Sequence, residues 1–245
     1  MKRHEHFLAL QLELKPGQKV LDIGCGIGGP LREIARFSST SITGLNNNEY
    51  QLSRAKQLSG NTGLERTCHY VEPMQLKPLA MHHAYACYKE ILRVLKPGGY
   101  FASYEWCMTE VFDPNNQEHQ KIKEVIEFGD GLPDIRVTTK CLEALKQAGL
   151  ILREKDLAID SPVPWYFPLD TSHFSLSTFR LTSVGRFFTK SMVRVLEFVG
   201  LAPQGSVRVE GFLQKAAEGL VEGGKKEIFT PMYFLLARKP GSGDR

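Results

Sequence analysis

The clearest chemistry in this sequence lies in the run Leu21–Asp22–Ile23–Gly24–Cys25–Gly26–Ile27–Gly28–Gly29. A short apolar segment of strand character enters a glycine-rich turn and then a helical pattern. Glycines at 24 and 26 let a ligand approach the backbone with no Cβ in the way. The helix that follows offers free N–H groups and the positive end of its dipole to a negative group. Gly24, Gly26 and Gly29 also satisfy the dinucleotide spacing G-x-G-x-x-G, so spacing by itself leaves a nicotinamide cofactor open. Asp22 favours one of the two readings and leaves an NAD-dependent oxidoreductase as the weaker alternative. A carboxylate two residues before the first glycine repels a pyrophosphate but helps fix an amino-acid ammonium. S-adenosylmethionine carries an ammonium and a sulfonium and no phosphate. The loop therefore predicts that cofactor, with Asp22, Gly24, Cys25 and Gly26 as its cofactor-binding residues.

Two further groups stand at predicted strand ends. The second strand closes on Asn46–Asn47–Asn48–Glu49, where nucleotide-binding folds commonly place an acidic residue on the ribose. Here amides come first: Asn46 or Asn47 can hydrogen-bond to a ribose, and three successive Asn also make a good helix entry. Tyr104–Glu105–Trp106 ends a later aromatic strand. Aromatic faces attract cations by about 0.5–2 kcal/mol, and Glu105 can take up a proton or stabilise positive charge. These three are the candidate catalytic residues. The five cysteines show no C-x-x-C pairing and the histidines no ligand spacing, so no metal site or disulfide framework is expected; reduced thiols are.

The elements that must position these groups follow from the hydrophobic pattern. Strands are predicted at 20–23, 41–45, 67–71 and 100–106, with helices at 30–37, 49–58 and 84–95, the last stopped by Lys96–Pro97–Gly98–Gly99. This alternation predicts βαβ units and a parallel sheet. Helices at 139–148 and 207–221 and strands at 150–156 and 228–237 follow. Between Ser161 and Gly200 the composition turns aromatic: Trp165, Tyr166, Phe167, Phe174, Phe179, Phe187, Phe188 and Phe198. Any one of these is expected in the core; together they favour a large apolar ligand or a membrane-interface patch. With 245 residues, 42% hydrophobic, the chain is long enough for a real core. A net charge of +4, dispersed along the sequence, gives no basis for nucleic-acid binding. No apolar run approaches the roughly 20 residues that span a bilayer.

The glycine loop with Asp22, Gly44-Leu-Asn-Asn47, Arg93-Val-Leu-Lys-Pro-Gly-Gly99 and Tyr104-Glu-Trp106 together resemble sterol C-24 methyltransferases, most closely the plant cycloartenol type. The likeness continues through Gly129-Asp-Gly-Leu-Pro-Asp134, Ser161-Pro-Val-Pro-Trp165, Phe179-Arg-Leu-Thr182 and Ile228-Phe-Thr-Pro-Met-Tyr233. It implies an α/β, Rossmann-like S-adenosylmethionine-dependent methyltransferase fold, divided into a core at 1–110 and a C-terminal sterol methyltransferase region at 111–245. It also implies methyl transfer to the side-chain double bond of a Δ24-sterol. The π-bond attacks the sulfonium methyl, a side-chain carbocation forms, and proton loss completes the reaction; Tyr104, Glu105 and Trp106 suit such a cation. By the same likeness Asp22, Gly24 and Gly26 hold the methionine part of the cofactor, and Asn46 and Asn47 lie near its ribose and adenine. Endoplasmic reticulum membrane association or a cytoplasmic location, peripheral membrane contact and a homo-oligomer are further expectations.

The sequence departs from the resemblance twice. It begins close to the first strand, without the family's upstream aromatic sterol-binding motif. Between Val71 and Ala84 it has only roughly a dozen residues, two of them proline, where a parallel crossover alone needs about that many. The fourth strand, normally beside the first at the middle of the sheet, has no sequence to form it. An incomplete central sheet and an impaired form that binds sterol or pairs with a complete subunit are therefore expected alternatives.

Overall fold

A computed structural model describes residues 2–72, 84–132, 134–157, 163–170, 182–241 and 243. The chain opens with helix α1 (Lys2–Gln11), then β1 (Lys19–Ile23), α2 (Gly29–Ser38), β2 (Ser41–Leu45), α3 (Glu49–Asn61) and β3 (Cys68–Val71). These strands form a parallel sheet of order β1-β2-β3. Each helix begins for a local reason. α2 has Pro30 in its first turn, where a missing N–H costs nothing. α3 is capped by Asn48, whose Oδ1 accepts from the Gln51 N–H at 3.0 Å. Leu31 and Ala35 of α2 and Leu52 and Ala55 of α3 pack on Ile42, Cys68 and Tyr70 of the sheet.

After α4 (Ala84–Val94) come β4 (Tyr100–Met108), α5 (Gln117–Asp130), α6 (Thr138–Gln147), β5 (Ile151–Asp156), α7 (Ser183–Phe198), α8 (Ser206–Lys225) and β6 (Phe229–Arg238). β6 lies between β4 and β5 and runs antiparallel to both. Proline in a central strand removes a ladder donor. Pro231 does so in β6, and the β4–β6 register shifts there, Glu105 facing Tyr233 and Cys107 facing Thr230. α4 and α6 cover one side of this sheet through Tyr88, Ile91, Cys141 and Leu145. α5 meets α8 closely: a Cβ on Gly129 would stand 2.5 Å from the Ala216 Cβ.

The expected incomplete sheet is present as two separate three-stranded sheets. β1 is an edge strand of the first sheet and β4 of the second, and neither pairs with a further strand among the described residues. β1 is open to solvent, with Leu21 and Ile23 43% and 51% exposed. The segment in which the fourth strand was sought, 72–84, falls almost wholly on residues 73–83, outside the described residues. The second sheet takes β4 from before residue 110 and β5 and β6 from after it. Hydrogen bonding across the sheet joins the two regions.

Candidate cofactor and active site

The glycine loop hangs from the end of β2. The N–H groups of Gly24 and Cys25 both donate to the Leu45 carbonyl, at 2.8 and 3.1 Å. Gly24, Gly26 and Gly28 all take positive φ, at 84°, 54° and 73°, which a side chain would strain. In front of Gly24 and Gly26 there is open space, with no atom within 4 Å of where a Cβ would stand. Behind the loop there is none. A Cβ on Gly44 would meet Cys25 Sγ at 2.6 Å and Leu31 Cδ1 at 2.8 Å. The loop is thus a backbone cradle, backed by protein and open on its outer side.

Asp22 is the β1 residue in register with Gly44. Its carboxylate is half-buried and has no hydrogen-bond or ionic partner among the described residues. Burial pushes it up to about 6. The Cys25 thiol is pushed up to about 11, first by burial and then by the Asp22 carboxylate. An unpaired carboxylate beside an open backbone cradle fits a cationic amino-acid group. Asp22, Gly24, Cys25 and Gly26 are therefore together, as the sequence indicates, and the residues present fit the methionine part of S-adenosylmethionine.

The three asparagines divide their work. Asn48 caps α3, and Asn46 donates from Nδ2 to Gln51 Oε1 at 2.6 Å. Asn47 is exposed beside them. The sequence reading missed the residues that hold the loop. Arg32 Nη1 donates to the Ile27 carbonyl at 2.7 Å, and a Cβ on Gly28 would strike the Tyr70 ring. Tyr70 is fixed in turn by a 2.8 Å hydrogen bond with Ser59. One signal was available: an isolated glycine inside a strand, here Gly44, marks close approach of another group.

Tyr104, Glu105 and Trp106 do not form one cluster. Tyr104 faces α1 and the Phe234 ring, 5.7 Å away, and its hydroxyl donates to the His4 carbonyl at 3.2 Å. Glu105 faces the other side, in register with Tyr233 of the core under α4 and α6. Trp106 is partly exposed and meets Phe229 edge to face at 5.5 Å. Strand alternation sends neighbouring side chains to opposite faces, so a carboxylate between two aromatics in sequence is not between them in space. Burial raises Glu105 above the usual carboxylate range, against the Ser103 and Tyr88 hydroxyls and Arg136, which favour its ionised form.

The aromatic segment also differs from expectation. Phe187, Phe188 and Phe198 are not core; they are 69%, 63% and 90% exposed. Phe167 lies in a short 3-10 turn at the surface, and Phe174 and Phe179 fall outside the described residues.

Comparison with known proteins defines the class first. Residues 14–154 match a family model described as methyltransferase domain, and residues 176–241 one described as sterol methyltransferase C-terminal. The fold is similar to that of the cyclopropane synthase MmaA2 from Mycobacterium tuberculosis, with TM-score 0.69 and 15% identity, covering 96% of this chain and 83% of that one. It is also similar to geranyl diphosphate C-methyltransferase from Streptomyces coelicolor in complex with S-adenosyl-L-homocysteine, with TM-score 0.64 and 14% identity, covering 97% and 78%. The fold is that of an S-adenosylmethionine-dependent methyltransferase, and the nicotinamide alternative is set aside.

Among relatives, the chain is 66% identical over 257 aligned positions to cycloartenol-C-24-methyltransferase of Arabidopsis thaliana, covering 98% of this chain and 76% of that protein. It is 43% identical over 263 positions to sterol 24-C-methyltransferase of Candida albicans, covering 97% and 70%. The chain belongs to the sterol C-24-methyltransferase family. Both aligned lengths exceed its 245 residues, so each relative carries residues within the match that have no counterpart here.

Proposed function

We propose that this chain serves methyl transfer from S-adenosylmethionine to C-24 of a Δ24-sterol such as cycloartenol, in sterol biosynthesis. The observation that carries the reading is the unpartnered Asp22 carboxylate beside the open Gly24–Gly26 cradle. Asp22 binds the ammonium of the cofactor, the backbone at Gly24, Cys25 and Gly26 seats its methionine part, and Asn47 faces its ribose side. When bound, the cofactor supplies the methyl group as an electrophile. Trp106 offers a partly exposed π face to positive charge at the end of β4, and Glu105 holds or takes up a proton on the opposite face. Titration calorimetry with S-adenosylmethionine, followed by transfer of labelled methyl to cycloartenol, tests the reading. Binding with labelled 24-methyl sterol supports it; a chain that binds no cofactor at any concentration overturns it.

The division into two sheets favours a second reading. In it the chain seats the cofactor but turns over poorly, because no strand among the described residues joins the two sheets. Cofactor binding without methyl transfer distinguishes this reading from the first. Restored transfer in a chain carrying the relative's additional residues completes the test.

The finer expectation of a peripheral membrane contact, and with it an endoplasmic reticulum location, is supported by α7. Phe187, Phe188, Met192, Val195 and Phe198 are exposed along this helix, and Lys190 and Arg194 stand exposed beside them. An exposed apolar stripe with basic neighbours suits a lipid surface with anionic headgroups. No described helix is long and apolar enough to cross a bilayer.

A further inference from the structure

Two thiols meet inside the second core. Cys107 projects from β4 and Cys141 from α6, and their sulfur atoms are 3.8 Å apart. Both belong to the core cluster with Tyr88, Leu145, Ala148, Leu150 and Leu235, and the charges of Glu105 and Arg136 act on the pair. Core cysteines ordinarily act as small hydrophobes, and a solitary thiol there is inert. Two thiols in contact differ, because each sulfur already lies next to the atom it would bond. The pair is also asymmetric. Cys107 is fully enclosed, whereas Cys141 keeps a small exposed surface. The hydrogen bond from Cys107 favours the thiolate of Cys141, lowering that thiol, while the same contact and burial raise Cys107. The cofactor cradle uses neither residue.

We propose that Cys107 and Cys141 form an oxidisable dithiol site whose co-reactant is a small neutral hydroperoxide. The Cys141 thiolate attacks one peroxide oxygen; the O–O bond breaks, the other oxygen leaves as hydroxide, and Cys141 becomes a sulfenic acid. The Cys107 sulfur then attacks the Cys141 sulfur. An S–S bond forms, the S–O bond breaks, and water departs with the Cys107 proton. Two thiols have lost two electrons and two protons, and one peroxide has become two waters. In a reducing compartment such a bond is transient. While it lasts it fastens α6 to β4, the strand that carries Tyr104, Glu105 and Trp106.

The test treats the folded 245-residue chain with hydrogen peroxide, without denaturant, blocks remaining thiols and maps peptides under non-reducing conditions. The expected result is loss of two hydrogens in intact mass, a linked peptide joining Cys107 to Cys141, and recovery of both thiols with dithiothreitol. Cys141→Ser is expected to abolish the link without creating another, and its circular dichroism spectrum confirms that it is folded. Three results would overturn the proposal: a link involving Cys87, the third thiol packed against this core; a Cys141 sulfinic acid with no link; or a link formed only in urea.

Discussion

Cys25 and Gly44 are held in a fixed contact: the thiol of the loop residue occupies the space where any side chain at position 44 would begin, 2.6 Å from the Cβ site. The cradle and the second strand therefore fold as one unit. Gly44→Ala is expected to cost about 1–3 kcal/mol through overpacking and to weaken S-adenosylmethionine binding by moving the loop outward. Urea unfolding and calorimetry on the same variant measure the two effects.

Asp22 sets a conflict between stability and binding. Burial raises it from 3.8 to about 6. A carboxyl raised in the fold binds its proton more tightly there than in the unfolded chain. Its contribution to stability is thus present in full below 3.8 and is lost as the pH rises through about 6. Asp22→Asn is expected to remove that slope from the cofactor-free protein. It should also weaken cofactor binding roughly tenfold or more, the consequence of losing a charged hydrogen bond of about 1.5–3 kcal/mol. In the wild type, affinity should rise with pH across the same window, because the ionised carboxylate holds the ammonium. An Asp22→Asn protein with unchanged affinity would remove Asp22 from the site.

Tyr104 and Glu105 should respond differently, since they face opposite ways. Tyr104→Phe removes the hydroxyl that reaches the His4 carbonyl and is expected to cost about 0.5–1.5 kcal/mol of stability, with cofactor affinity unchanged. Glu105→Gln relieves a carboxyl held high by burial, so stability at neutral pH should rise while methyl transfer falls. Thermal unfolding beside a labelled-methyl assay checks both.

Lys190 and Arg194 provide the charge on α7. Reversing them together, Lys190→Glu with Arg194→Glu, should weaken binding to vesicles containing anionic lipid by about 1 kcal/mol per residue or more. Cofactor affinity should be unaffected. Flotation of the variant equal to that of the wild type would leave the helix without this role.

Much of this molecule is legible from local sequence. The strand, glycine turn and Pro30 helix start are set by residues that constrain their own backbone, and the same is true of Asn48 at the entry to α3. The pattern from β1 to β3 follows the alternation of short apolar runs and helical segments. α1 gave no such signal, because what fixes it lies far along the chain. His6 stacks on Phe37 at 4.0 Å and bonds Glu33 at 3.0 Å, and Phe7 meets Phe234 at 5.0 Å. The exposed phenylalanines of α7 mislead for a related reason: an apolar residue reads as core until the surface that would cover it is known to be present.

What the sequence determined by itself is the cofactor chemistry. One carboxylate and a run of glycines fix both the charge and the shape of the cradle over a few residues. Tertiary structure alone decided that Glu105 turns away from Tyr104 and Trp106 and that Cys107 meets Cys141. Side-chain facing and long-range contact depend on partners distant in the chain, and a local pattern does not name those partners.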